Sequence, residues 1–181
     1  EWMACVRVQE ALLETRVEFG QAGKEHLDEV KAALEYVNPA NMSLLEDKVT
    51  KHDQLAVLEE IGRYIRPETK ALLHPGTTSY DILDTARSYL LKSAWSEVVR
   101  PKIAEAIEKL CKIGESSMDM VQVGRTHLKH TSPITFGSMI AGYAARLANR
   151  LEKCDEFVEG LRGKVSGIVG TGASIDMVIG E

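Results

Sequence analysis

Apolar residues recur every three or four positions along almost the whole chain, which is the period of an amphipathic helix. Trp2, Cys5, Leu12, Leu13 and Val17 share one face of the first segment, which Gly20 and Gly23 bring to an end. A second amphipathic stretch covers 24–37 and stops at Asn38-Pro39. Two further helical pieces are predicted over 41–49 and 53–65, joined through Thr50-Lys51-His52. Pro67 then opens a short turn that leads to His74-Pro75-Gly76.

From Ser79 onward the stripes lengthen. Ile82, Ala86, Leu90, Ala94 and Val98 form one continuous face, and Ile103, Ile107 and Leu110 extend it. Pro101 lies within that span and should kink the rod or divide it in two, because proline removes a backbone donor. Ile140, Ala144, Leu147, Leu151, Cys154, Val158 and Leu161 alternate steps of four and three, the spacing of a helix lying nearly parallel or antiparallel to its neighbours. Small residues beside that stripe (Ala141, Gly142, Ala145, Ala148) would let other backbones come close. Between the long helices, 118–126 alternates without a helical face and reads as extended. The glycine-rich, β-branched stretch 165–174 reads as a loop or small hairpin. The expected fold class is all-α: an N-terminal helical domain over 1–77, followed over 78–181 by the first long helices of a bundle.

Composition fits a globular protein of one or two domains: 181 residues, 44% hydrophobic and 27% charged, with a net charge of −5. No stretch is basic without acids interleaved, which argues against nucleic-acid binding and against attachment to an anionic membrane. Apolar runs fall far short of the roughly 20 residues of a membrane span. Cys5, Cys111 and Cys154 are odd in number and widely spaced, so neither a disulfide framework nor a zinc site is expected, and a reducing cytoplasm is the natural setting. The chain opens inside what reads as a helix, with no signal peptide visible, so residues upstream are expected to have been removed.

Polar residues collect where helices begin or end. One group is Thr50-Lys51-His52-Asp53; a second is the run 74–81, HPGTTSYD; a third is the run 124–130, GRTHLKH, leading into Ser132-Pro133-Ile134-Thr135-Phe136-Gly137. Four of the five histidines lie in these groups. Thr78, Ser79 and Asp81 suit a helix cap, as does Thr50 or Asp53. His127 and His130 are three apart but lack a supporting carboxylate or cysteine spacing, so no metal is expected. Together, however, a glycine-proline turn delivering hydroxyls to a helix N-terminus forms a nest for an anion. Thr126 and His127 add a donor and a group that exchanges protons near neutral pH, while Lys51, His52 and Arg125 add positive charge.

The run HPGTTSYDILDTA at 74–86 resembles the adenylosuccinate lyase family of the fumarase/aspartase superfamily, in which a His-x-Gly turn precedes Thr-Ser-x-Asp and then Asp-Thr-Ala. The run GRTHLKHTSPITFG at 124–137 resembles the same family's Gly-Arg-Thr-His stretch, which ends in Pro-x-Thr-Phe-Gly. Thr50-Lys51-His52-Asp53 and Ile168-Val169-Gly170-Thr171 match further family segments in order. Carboxymuconate cycloisomerases share much of the Thr-Ser-x-Asp segment but often carry Trp where His127 stands. Leu128 and Lys129 depart from the pattern, which commonly has Gly and then Gln at these places.

The resemblance implies β-elimination of fumarate from a purine nucleotide substrate without a cofactor, in a cytoplasmic homotetramer whose long helices form a central bundle. It implies His127 as the acid that protonates the leaving nitrogen. Thr78, Ser79 and Thr126 would hold substrate oxygens, Lys51, His52 and Asp53 would contact the nucleotide or orient His127, and His74 would support the site. Arg125 adds positive charge for phosphate or carboxylate, and Lys129, a departure from the pattern, would strengthen attraction to a carboxylate. The family's base is a serine on a loop of the form Gly-Ser-Ser-x-Met-Pro-x-Lys-x-Asn, a run absent between Glu1 and Glu181; Gly172-Ala173-Ser174 lacks its context. The isolated chain is therefore expected to be catalytically silent. Two other readings stand beside this one: a carboxymuconate cycloisomerase-like enzyme, and a non-catalytic helical assembly module.

Overall fold

A computed structural model describes residues 1–179. Its regular secondary structure is helical apart from one two-stranded hairpin among the described residues, so the expected all-α class holds. Two compact units divide the chain: Glu1–Leu90 together with the segment from Arg162 onward, and Leu91–Leu161. The sequence places the boundary at 77/78; the observed division falls inside a helix, and the later segment returns to the first unit.

In the first unit, α1 (Trp2–Glu18) ends on Gly20, whose φ of +71° suits a residue without a Cβ. Gln21 N–H donates to Arg16 O and Gly20 N–H to Val17 O, the paired bonds that close a helix C-terminus. Helix α2 spans Lys24–Ala33. Helix α3 (Pro39–Leu45) starts with Asn38, whose side chain accepts from Ala40 N–H, and proline at the first helical position, where no donor is lost. It runs into a π-helical turn, Glu46–Thr50, so the piece expected at 41–49 is part α and part π. Helix α4 (Asp53–Gly62) and the single turn α5 (Pro67–Lys70) follow. Val6, Leu13, Val30, Met42, Val57, Ile61 and Ile82 are fully buried between these helices. Those residues form the core that holds the ends of α4 and α6 (Ser79–Ala94) in place.

Near the expected break at Pro101 the chain forms a second π-helical turn, Trp95–Val99, directly before α7 (Arg100–Ser116). A wider turn just upstream accommodates the donor that proline lacks. Helices α7 and α8 (Phe136–Gly160) pack antiparallel: Gly114 meets Gly137 at one end, and Arg100 Nε donates to Asp155 at the other, 3.0 Å from each carboxylate oxygen. They are linked by β1 (Val121–Thr126) and β2 (Lys129–Thr135). The extended reading of 118–126 thus holds for β1, while β2 went unforeseen because it carries Pro133 and mostly polar residues. The stretch 161–172 forms neither strand nor helix, so the loop expected from 165 holds as far as 172, and α9 (Ala173–Ile179) takes up its last two residues.

Candidate active site

In the first unit two of the three polar groups meet at the starts of α4 and α6. His52 is the N-cap of α4, and its Nδ1 accepts from Leu55 N–H at 3.4 Å. That bond requires an unprotonated Nδ1 and leaves the proton on Nε2, which lies 3.0 Å from Ser79 Oγ. Ser79 then accepts, and its own hydroxyl hydrogen is free for an oxygen of a bound molecule. Asp53 Oδ1 stands 3.2 Å from the same Nδ1, placed to accept from an Nδ1–H if the ring carries one. Thr50 holds the turn by donating to His52 O at 2.8 Å. Lys51 takes the left-handed conformation, φ +53°, and its ammonium donates to Asp47 O, which turns it toward its own helix end.

His74 is left-handed as well, at φ +73°. Its ring sits half-buried, with Nδ1 3.0 Å from Gln9 Nε2 on α1 and 3.1 Å from Thr77 Oγ1. Burial pushes the imidazole below its ordinary value, the charge of His52 adds to this, and Asp81 opposes it. His74 is thus held neutral.

Asp81 fixes the loop that carries Thr78 and Ser79. It is fully buried, and its Oδ2 accepts from Thr78 N–H at 2.9 Å, the reciprocal bond of a capping box. Lys164 Nζ, Ser166 N–H and Gly167 N–H also donate to it, at 3.0, 3.1 and 3.0 Å. Burial alone would raise this carboxyl, but the hydrogen bonds from Thr78, Lys164, Ser166 and Gly167 outweigh it and hold the group below the usual carboxylate range. Ser174 Oγ adds a bond to Gly76 O at 2.7 Å.

Four of the expected residues belong to the second unit. Arg125 and Thr126 close β1, His127 and Leu128 form a two-residue turn, and Lys129 opens β2. Both turn residues have positive φ, +50° and +63°, the geometry that matches the twist of a tight hairpin. A bulge opposite Gly124 breaks the register between Val123↔Pro133 and Arg125↔His130. All four side chains are exposed, so the hairpin tip presents a cationic edge with one imidazole. Among the described residues no group of three His, Cys, Asp or Glu stands close enough to hold a metal ion, and no helix is long and apolar enough to cross a membrane.

Gln9, Thr77 and Lys164 escaped the sequence reading, and Asp81 was legible only as a cap. One signal existed for Gln9: it falls on the core stripe between Val6 and Leu13, where a polar side chain needs a buried partner.

A family model described as a lyase matches residues 2–181, and the chain belongs to that lyase family. It is 33% identical to the adenylosuccinate lyase of Methanothermobacter thermautotrophicus over 93% of this chain and 38% of that protein. It is 32% identical to that of Bacillus subtilis over 97% of this chain and 40% of that protein. The chain thus spans about two fifths of the length of these relatives. Among solved structures, a fumarate lyase from a Mesorhizobium species superposes with a TM-score of 0.84 at 25% identity, covering 98% of this chain and 43% of that one. A 3-carboxy-cis,cis-muconate lactonizing enzyme from Pseudomonas putida gives 0.86 at 21% identity over 98% of this chain and 42% of that one, a likeness of fold. The resemblance read from the four motifs is borne out.

Proposed function

We propose that this chain carries the acid and substrate-holding part of a C–N lyase that cleaves adenylosuccinate and releases fumarate. The observation that supports it most is the 3.0 Å pairing of His52 Nε2 with Ser79 Oγ, which joins two motifs 27 residues apart at one helix start. In the reaction a base takes a proton from the succinyl carbon beside a carboxylate. The electron pair then forms the fumarate double bond as the C–N bond breaks, and His127 delivers a proton to the leaving nitrogen. Charge builds on the carboxylate before the bond breaks. Ser79 and Thr78, at the N-terminus of α6, suit that charge, because donors already in place stabilise it without reorganisation. Thr126, Arg125 and Lys129 on the hairpin suit a second anionic group, and Lys51, Asp53 and His74 frame the first. The base is not among residues 1–181.

The long helices support association as well. Ile113, Met118, Tyr143 and Phe157 on α7 and α8 and the connection between them are exposed, and large apolar side chains that share a surface are commonly covered by other protein. The reading therefore includes self-association through α7 and α8, in a cytoplasmic assembly.

The test uses a protein that contains this chain together with the serine loop. Loss of adenylosuccinate is followed by absorbance in the wild type and in His127→Gln. A fall of about 10²–10⁴-fold in kcat supports the assignment. Turnover of a carboxymuconate in preference to adenylosuccinate, or a His127→Gln variant of unchanged rate, overturns it. The 181-residue chain by itself should show no turnover.

A further inference from the structure

Gln9 is a polar side chain on a core stripe. It is fully buried, and its Nε2 approaches His74 Nδ1 at 3.0 Å across 65 residues of chain. Its Oε1 is also buried and has no partner among the described residues. Two arrangements of protons fit these positions. In the first, Gln9 donates one hydrogen to an unprotonated Nδ1, the ring proton sits on Nε2, and the amide oxygen and the second amide hydrogen are left over. In the second, the amide is turned over so that its oxygen faces a protonated Nδ1. Both amide hydrogens then take the buried position of Oε1 and neither is used on the ring. Orphaned donors are rarer and costlier than under-used carbonyl oxygens, so the first arrangement wins.

Thr77 permits this choice. Its hydroxyl donates to His74 O at 2.6 Å and lies 3.1 Å from Nδ1, where a shared hydrogen is compatible with an accepting Nδ1, so the choice rests on Gln9. Nε2 has no partner among the described residues. Burial keeps the ring neutral, so the two nitrogens differ in kind: one can only accept, the other only donate.

We propose that Gln9 is a positioning residue that locks His74 in the tautomer with its proton on Nε2, so that the ring offers an N–H donor to an oxygen of the bound substrate. The role in substrate binding rests on the lyase reading above; the tautomer does not. Gln9 carries no charge, so it selects the tautomer without raising the basicity of the ring. A carboxylate in its place would accept from Nδ1–H and turn Nε2 into an acceptor, the wrong polarity for an anionic oxygen.

Long-range ¹H–¹⁵N correlation spectra of the 181-residue chain show which ring nitrogen bears the proton, with the His74 signals assigned by their loss in His74→Gln. The wild type should show an unprotonated Nδ1 and a protonated Nε2. Gln9→Glu should place a proton on Nδ1, and Gln9→Leu should give a mixture of the two neutral forms. A wild-type Nδ1–H, or a His74 pattern identical in the wild type, Gln9→Glu and Gln9→Leu, overturns the proposal. If neither variant folds, the wild-type spectrum still decides through the position of its proton. A result of this kind stands whether or not the protein proves to cleave adenylosuccinate.

Discussion

Lys164 reaches back 83 residues to place its ammonium 3.0 Å from Asp81, and with it the backbone N–H groups of Ser166 and Gly167 close on the same carboxylate. Thr85 strengthens the junction from one turn further along α6: its hydroxyl accepts from Lys164 N–H at 2.9 Å and donates to Lys164 O at 3.0 Å. One buried acid thus ties the start of α6, with Thr78 and Ser79, to the segment that follows α8 in the sequence.

Asp81→Asn should therefore cost about 3 kcal/mol, the lower end for breaking a buried pair because Lys164 is partly exposed. The urea midpoint reads this directly. Because the folded carboxyl sits below its unfolded value, its contribution is complete above about pH 4 and is lost as pH falls through the folded value. The gap in stability between wild type and Asp81→Asn should hence narrow below pH 4. A gap that stays constant to pH 2 would show that the carboxylate charge contributes nothing.

Leu128 is 92% exposed and adopts φ +63°, so it has left-handed strain with no packing to offset it. Leu128→Gly should remove a penalty of about 1 kcal/mol from the hairpin turn. The effect is local, so it should appear as roughly fivefold slower amide exchange in β1 and β2, with little change in overall unfolding. Leu128→Val should act in the opposite direction, because branching at Cβ is poorly tolerated at positive φ.

Gly114 and Gly137 face each other where α7 and α8 meet, yet the two should respond differently to alanine. A Cβ on Gly137 would lie 2.7 Å from Met118 Cα and 2.8 Å from Met118 N, and that neighbour is backbone. On Gly114 the nearest atom would be 3.5 Å away, an ordinary contact. Gly137→Ala should destabilise by about 1–3 kcal/mol through overpacking. Gly114→Ala should be neutral or stabilise by up to about 1 kcal/mol, as expected inside a helix. Thermal melts of the two variants, side by side, test the contrast.

Much of this was visible in the pattern of residues, for a physical reason. Helix α1, α4 and the long α6–α8 segments are driven by apolar stripes, and a stripe is local information. The four motifs were legible as well, since short runs of hydroxyls, glycines and histidines need only a short window. What stayed hidden was pairing at a distance. Nothing near Asp81 announces Lys164, and nothing near His74 announces Gln9. Strand β2 was hidden because its pairing with β1 outweighs its polar composition and its proline. The return of the chain to the first unit at Arg162 was hidden for the same reason, since it depends on Asp81 and Thr85 of α6.

His74 offers a test of the site through pH. Its imidazole is depressed below the ordinary value of about 6.5, mainly by burial and secondarily by His52, with Asp81 working against them. The unfolded chain therefore binds a proton at this residue before the folded one does. Stability from this source is complete above about pH 6.5 and drains away as pH falls through the folded value, because protonation favours the unfolded state. His74→Gln removes the titrating group while keeping a hydrogen-bonding side chain of similar reach beside Gln9. The fall in urea midpoint between pH 7 and pH 5 should be shallower in that variant than in the wild type. If the two slopes coincide, His74 titrates as a solvated histidine would, and the half-buried neutral ring beside Gln9 is the wrong description of it.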